Sequence, residues 1–372
     1  MGKGVVGIDM INKKNHGNKF AWASLILSLM LFGSGCQIAY ILHAAAGEYE
    51  LLNNSVPVEE GLKDKTLSEK QKSRLALVGP IKLFGETELG LKKTENYETV
   101  YLKSAQNPAY IISAAPKDRL SLITWWFPIV GNMPYLGFFD LERARAEKAK
   151  LIKEDLDVSL GVAGAFSTLG WFKDPMTLSL IEGSTVDLVE TILHEMTHTT
   201  IYVKGQGYFN EGLANLVGLI GARQFFEARY GPSDPLTIEA QNTIEDERVF
   251  SSFISTLMDQ LEILYDLPLS YQEKLEQREK VFTRALKNFD RLKGDLKTNR
   301  FLYFGKAGLN NAYLMSISLY HRYFLLFEAV YNREGQSIKE TLKYFQALAK
   351  EKGNIIEKMK IMLNGPGDLH ET

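Results

Sequence analysis

His194-Glu195-Met196-Thr197-His198 is the segment whose residue types and spacing could do chemistry. Histidines four apart lie on one face of an α-helix, so two imidazoles can share one metal ion. A glutamate beside the first of them can reach a water on that ion and take its proton. The pattern, H-E-x-x-H, predicts one Zn2+ ion held by His194 and His198, with Glu195 as general base. Histidine is scarce, six in 372 residues, yet two fall at ligand spacing. The bland alternative is a pair of surface histidines on an ordinary helix. The flanks Thr191-Ile192-Leu193 and Thr199-Thr200 carry no charge, which suits the buried wall of a site.

A catalytic zinc needs a third protein ligand and an open position. No third histidine follows closely, the next being His321. Glu211 is the candidate, in Tyr208-Phe209-Asn210-Glu211-Gly212. Gly205 and Gly207 let the chain reverse, so a second helix can return along the first with Glu211 in its opening turn. Its alternative role is charge compensation at a helix N-terminus. Asn215, one turn further on the same face, could orient a ligand histidine by a hydrogen bond or simply pack between helices.

These residues need elements to hold them. Residues 185–203 read as one helix, with Ser184 as N-cap, Asp187 three later, and Gly205 as a stop. Further helices are expected over 211–230, 236–264, 271–297, 309–331 and 337–352. In 271–297, Leu275, Phe282, Leu286, Phe289, Leu292 and Leu296 mark one apolar face. Before Asp174-Pro175 the pattern is mixed. Residues 38–74 read as helical with a break at Val56-Pro57. Residues 97–103, 110–114 and 120–127 read as strands, 128–140 as a loop, 141–155 as a helix and 158–172 as extended chain. The fold expected is α+β, with a small sheet in the N-terminal half and a helical C-terminal half. Three parts follow: 1–35 as export signal or anchor, 36–175 as the α+β part, and 176–372 as the helical part carrying the metal site.

The N-terminus reads as an address. Lys13, Lys14 and Lys19 precede the uncharged run FAWASLILSLMLF at 20–32, as in an export signal. The run ends in Gly33-Ser34-Gly35-Cys36. Small residues before a cysteine are similar to a bacterial lipoprotein cleavage site, which would make Cys36 the lipid-bearing N-terminus. Gly33 departs from that pattern, which has leucine or a similar residue three before the cysteine. The competing expectation is an uncleaved transmembrane helix, for which the apolar stretch 20–46 is long enough. Both place the rest of the chain in the cell envelope, at a membrane, facing the periplasm or the exterior.

Composition narrows the classes. With 43 Lys and Arg against 45 Asp and Glu, the net charge is −2. No broad basic face is expected, so no nucleic-acid partner is either. The single cysteine excludes an intrachain disulfide and a thiolate metal cluster.

In order along the chain, several segments resemble those of the bacterial putative aminopeptidases of the zincin type, envelope proteins that often carry a lipoprotein signal. They are Gly35-Cys36 with its downstream helix, Pro134-Tyr135-Leu136-Gly137-Phe138-Phe139-Asp140, and Ser167-Thr168-Leu169-Gly170-Trp171-Phe172-Lys173-Asp174-Pro175. The H-E-x-x-H helix, Phe209-Asn210-Glu211 and Asn310-Asn311-Ala312 complete the set. The resemblance implies a gluzincin-like core, His194 and His198 as ligands, Glu195 as base and Glu211 as third ligand. It implies peptide-bond hydrolysis, with aminopeptidase activity. A non-catalytic zincin-fold lipoprotein acting as a binding or scaffold protein is the alternative, and the intact Glu195 argues against it.

Peptide hydrolysis also needs a donor for the oxyanion. Tyr313, Tyr320 and His321 are the candidates, Tyr313 and Tyr320 being seven apart on one helix face. For each, aromatic core packing is the competing role. A substrate backbone could add to an edge strand at 162–171, involving Ser167 and Thr168, while Tyr135, Gly137 and Phe138 could wall the pocket. Ordinary strand and turn packing is the alternative for these. Spacing singles out no carboxylate to hold a free amino terminus, and nothing in the sequence sets an oligomeric state.

Overall fold

In the computed structural model, short elements precede long ones. β1 (Ser55–Pro57), α1 (Val58–Gly61), α2 (Glu69–Leu75) and α3 (Val78–Thr87) lead into β2 (Thr99–Tyr101) and β3 (Tyr110–Pro116). Next come β4 (Trp125–Phe127), β5 (Gly131–Met133), β6 (Leu136–Phe138), α4 (Leu141–Lys153), β7 (Leu156–Val162) and β8 (Met176–Thr177). The rest is helical: α5 (Leu178–Glu182), α6 (Thr185–Thr200), α7 (Gly207–Tyr230), α8 (Pro235–Asp266), α9 (Tyr271–Leu292), α10 (Asn311–His321), α11 (Phe324–Arg333), α12 (Ile338–Leu348) and α13 (Ile355–Asn364). The described residues are 47, 49–103, 110–127, 131–162 and 173–364. The apolar run 20–32, Cys36, Ser167 and Thr168 lie outside them. Among the described residues no helix is long and apolar enough to cross a membrane. Met1–Glu50 and Leu51–Thr372 are separate units.

The expected α+β class holds: small sheets before residue 178 and helices after it. β3 is the centre of a three-stranded antiparallel sheet, order β6-β3-β7, with Ile112 opposite Leu136 on one side and Leu160 on the other. A second sheet, order β1-β2-β8, pairs Val100 with Met176 in parallel. That pairing ties the mixed part directly to the start of the helical part.

Three expectations need correction. Of 120–127 only Trp125–Phe127 is strand, and the expected loop 128–140 contains β5 and β6. β6 forms because β3 offers it a free edge, a tertiary partner that local sequence does not display. The break expected at Val56-Pro57 is present as β1, which pairs with β2. The helix expected over 309–331 is two helices, broken at Arg322 and Tyr323. There the Arg322 guanidinium turns aside to Glu262 and Asp259, at 2.6 Å each.

α6 starts where Ser184 caps it, accepting a bond from the Asp187 amide at 2.9 Å. A cap contributes about 1 kcal/mol. Leu188, Ile192, Leu193 and Met196 are all 0–1% exposed, and each such burial stabilises by about 1.5–3 kcal/mol. Packing therefore fixes α6, and the cap only sets its start. Its main partner is α7, whose glycines permit close approach. A Cβ at Gly218 would lie 2.9 Å from the Glu190 carbonyl oxygen, and one at Gly221 would lie 2.8 Å from Leu193 Cδ1.

A separate apolar cluster joins α8, α9 and α10 through Phe250, Ile254, Phe289, Phe304 and Leu314. α10 is also pinned to β7 by a buried polar junction. Arg278 donates to Asp157 at 2.8 Å and to the Lys117 carbonyl at 2.8 Å. Asp157 also accepts from the Asn311 amide at 2.8 Å.

Candidate metal centre

α6 and α7 are joined by a tight reversal in which Gly205 adopts φ +79°, a left-handed conformation that favours glycine. Asn210 secures it. Its amide donates to the Val203 carbonyl at 2.9 Å, and its oxygen accepts from the Val203 N–H at 2.8 Å. α7 therefore starts four residues earlier than expected, at Gly207, and Glu211 sits in its second turn rather than its first.

This places three side chains from two helices at one point. His194 Nε2 lies 3.2 Å from His198 Nε2 and 3.3 Å from Glu211 Oε2. His198 Nε2 lies 3.4 Å from the same oxygen. A tetrahedral centre with bonds of about 2.0–2.1 Å has edges of about 3.3–3.4 Å. The three atoms thus form one face of such a tetrahedron. The side chains of His194, His198 and Glu211 are 13%, 4% and 21% exposed, so the face is sheltered yet reachable. Glu195 completes a His-Glu-His group in which one donor atom per residue lies within 4.8 Å of the others. Its Oε2 and the His198 Nδ1 are buried without a hydrogen-bond partner among the described residues. A carboxylate oxygen left free beside a ligand face is available to a small molecule at that face.

Electrostatics fit a cation site. Burial raises the Glu211 carboxyl, but hydrogen bonds with His194 and His198 and their charge outweigh it and hold it well below the carboxylate range. Burial lowers the His198 imidazolium, yet Glu211 and the charge of Glu195 carry it above its ordinary value. Two carboxylates are thus gathered at two imidazoles, a donor set that suits a divalent ion.

Tyrosines border the group. The Tyr320 ring stacks on His194, centroids 5.9 Å apart. Burial, then the charges of Glu211 and Glu195, push its hydroxyl well above the usual phenol range. Tyr135 adds to that field, so it too stands near Tyr320. Tyr202 meets His198 edge-on at 6.4 Å. Tyr202 carried no spacing signal, being just past the end of α6. Buried Tyr97, from the loop before β2, feels the charge of Glu195.

Other expected site residues lie elsewhere. Tyr313 packs against Phe304 at 5.9 Å in the α8–α9–α10 cluster. Two helical turns, about 10 Å, separate it from Tyr320, so the two cannot serve one ion. His321 directs Nδ1 to Glu247, at 2.8 and 3.0 Å, away from the metal group. Asn215 does not orient a ligand histidine: its amide serves Glu247 and the Tyr320 carbonyl. Gly137 and Phe138 belong to edge strand β6, paired with Ile111 and Tyr110. Of the expected substrate strand 162–171 only Val162, the exposed end of edge strand β7, is among the described residues.

The family model described as putative aminopeptidase matches residues 39–359, most of the chain. No curated protein matches, and no solved structure does.

Proposed function

The chain belongs to the putative aminopeptidase family, and from that premise we propose that it is a zinc-dependent peptidase, an aminopeptidase anchored at the bacterial cell envelope. The observation that carries the zinc reading is the ligand triangle, with edges of 3.2–3.4 Å against the tetrahedral spacing. His194, His198 and Glu211 would hold the ion, leaving a fourth position open. Zinc would supply Lewis acidity, lowering the pKa of water toward neutrality and polarising the scissile carbonyl.

The chain's own residues do the rest. Glu195, with a buried oxygen free of other bonds, takes the proton from the attacking water and returns it to the leaving amine. Tyr320, whose hydroxyl stays protonated, donates a hydrogen bond to the developing oxyanion. Glu211 stays ionised and binds without a competing proton. Anchoring rests on the apolar run 20–32 and Cys36, as a lipid attachment point or an uncleaved helix. Peptides are the substrate, and Tyr202, edge-on to His198, offers an apolar face beside the ligands, with Tyr135 near Tyr320.

The test is a peptide library incubated with the purified full chain. Cleavage lost to a chelator and restored by zinc supports the reading, and release of single N-terminal residues supports the aminopeptidase form. Zinc bound at one per chain with no peptide cleaved would overturn the peptidase reading.

A further inference from the structure

Behind the ligand face lies a buried polar network that touches all the helices of the site. Glu247 on α8 is fully buried. It accepts from Asn215 Nδ2 at 3.2 Å and from His321 Nδ1 at 2.8 Å. The second hydrogen of Asn215 Nδ2 goes to the Tyr320 carbonyl at 3.1 Å. Both partners of this amide are acceptors, so only its nitrogen can face them. Arg300 joins from the side, gripping Glu190 of α6 through its two terminal nitrogens, Nη1 and Nη2, and adding its charge near Glu247.

The placement of these residues is regular. Glu190 is one turn before ligand His194, Asn215 is one turn after Glu211, and His321 adjoins Tyr320. The Tyr320 carbonyl is among the last four of α10, which have no partner within the helix. The chain breaks at Arg322 and Tyr323, so something outside the helix must satisfy that group. Asn215 does so, and Glu247 holds Asn215 in place.

We propose that Asn215, fixed by Glu247, is a positioning residue that sets where α10 ends and so holds the Tyr320 ring over His194. This rests on the reading of Tyr320 as oxyanion donor. The pair acts through the backbone of Tyr320 and touches no substrate.

The test is a double-mutant cycle on the full chain, using the fastest-cleaved fluorogenic peptide from the library. Asn215→Leu keeps the side-chain size and removes both donors. We expect kcat to fall about 10-fold or more, with KM within about 2-fold and zinc still at one per chain. In a Tyr320→Phe background the same substitution is expected to cost little more, because the hydroxyl it positions is already gone. Should Asn215→Leu not fold, Asn215→Thr replaces it: with one donor it can serve Glu247 or the Tyr320 carbonyl, not both, and the same coupling is expected. Multiplicative losses in the double variant, a change in KM alone, or loss of zinc would overturn the proposal. If Tyr320→Phe leaves kcat unchanged while Glu195→Gln abolishes it, the positioning role fails and the zinc peptidase reading stands. If Glu195→Gln leaves cleavage intact, that underlying reading is what fails.

Discussion

The Tyr320 ring lies over the His194 ring at 5.9 Å, the planes inclined by only 24°. One residue of the ligand triangle thus locates the phenol that faces Glu211. The two arrive from helices more than a hundred residues apart, and the contact brings a neutral donor to the face formed by His194, His198 and Glu211.

Tyr320→Phe removes the hydroxyl and keeps the stacking ring. Loss of one oxyanion donor lowers kcat about 10²–10³-fold. KM and zinc content are expected to hold, since His194, His198 and Glu211 all keep their donor atoms. Steady-state kinetics with metal analysis checks this, and an unchanged kcat contradicts the assigned role.

Gly218→Ala tests the helix contact that sets the ligand spacing. The added Cβ meets the Glu190 carbonyl at 2.9 Å and His194 Cβ at 3.4 Å. Backbone cannot yield as a flexible side chain does, so α7 must move from α6. Overpacking of this kind costs about 1–3 kcal/mol. We expect a lower Tm and weaker zinc binding together, since Glu211 travels with α7. Competition with a chromophoric chelator measures the affinity, and an unaltered value contradicts the account.

Metal loading should depend on pH through His198. Its imidazolium stands above the ordinary 6.5, and the Glu211 carboxyl stands below 4.5. In the metal-free protein this pair contributes fully between about pH 4.5 and 6.5. Its contribution is lost as pH rises through the raised His198 value. Zinc requires the neutral ring and must expel that proton. The zinc-induced rise in Tm is therefore expected to be small near pH 6 and to grow toward pH 8. Calorimetry with and without zinc across that range checks it, and a constant rise contradicts it.

Arg278→Met probes the junction of sheet and helices. Arg278 and Asp157 are 8% and 7% exposed, so the substitution leaves a buried carboxylate short of its partner. The expected loss is about 3–5 kcal/mol. Denaturant unfolding measures it, and a loss below about 1 kcal/mol contradicts the role given to this pair.

The grouping of His194, His198 and Glu211 was legible in the sequence because its logic is local. His194 and His198 are separated by one helical turn, and the Gly205 reversal returns Glu211 within thirteen residues of His198. The same local logic misplaced Tyr313, because sharing a helix face with Tyr320 says nothing of the two turns between them. For Asn215 the spacing gave the correct face and the wrong partner. Glu247, 32 residues away, and the end of α10, 105 residues away, come to it only through tertiary packing. The β6 segment has a loop-like sequence for a similar reason, since its strand character comes from β3. Arg300 and Glu190, 110 residues apart, left no pattern to read.

The central claim is that Glu195 moves the proton while His194, His198 and Glu211 hold the metal. Glu195→Gln separates the two roles, because the amide keeps the shape and cannot act as a base. The decisive measurement is zinc stoichiometry and peptide turnover on the same purified sample. The account predicts one zinc per chain and turnover reduced by at least about 10²-fold, the lower range for a general base. Turnover at the wild-type rate, or loss of the zinc itself, would contradict it.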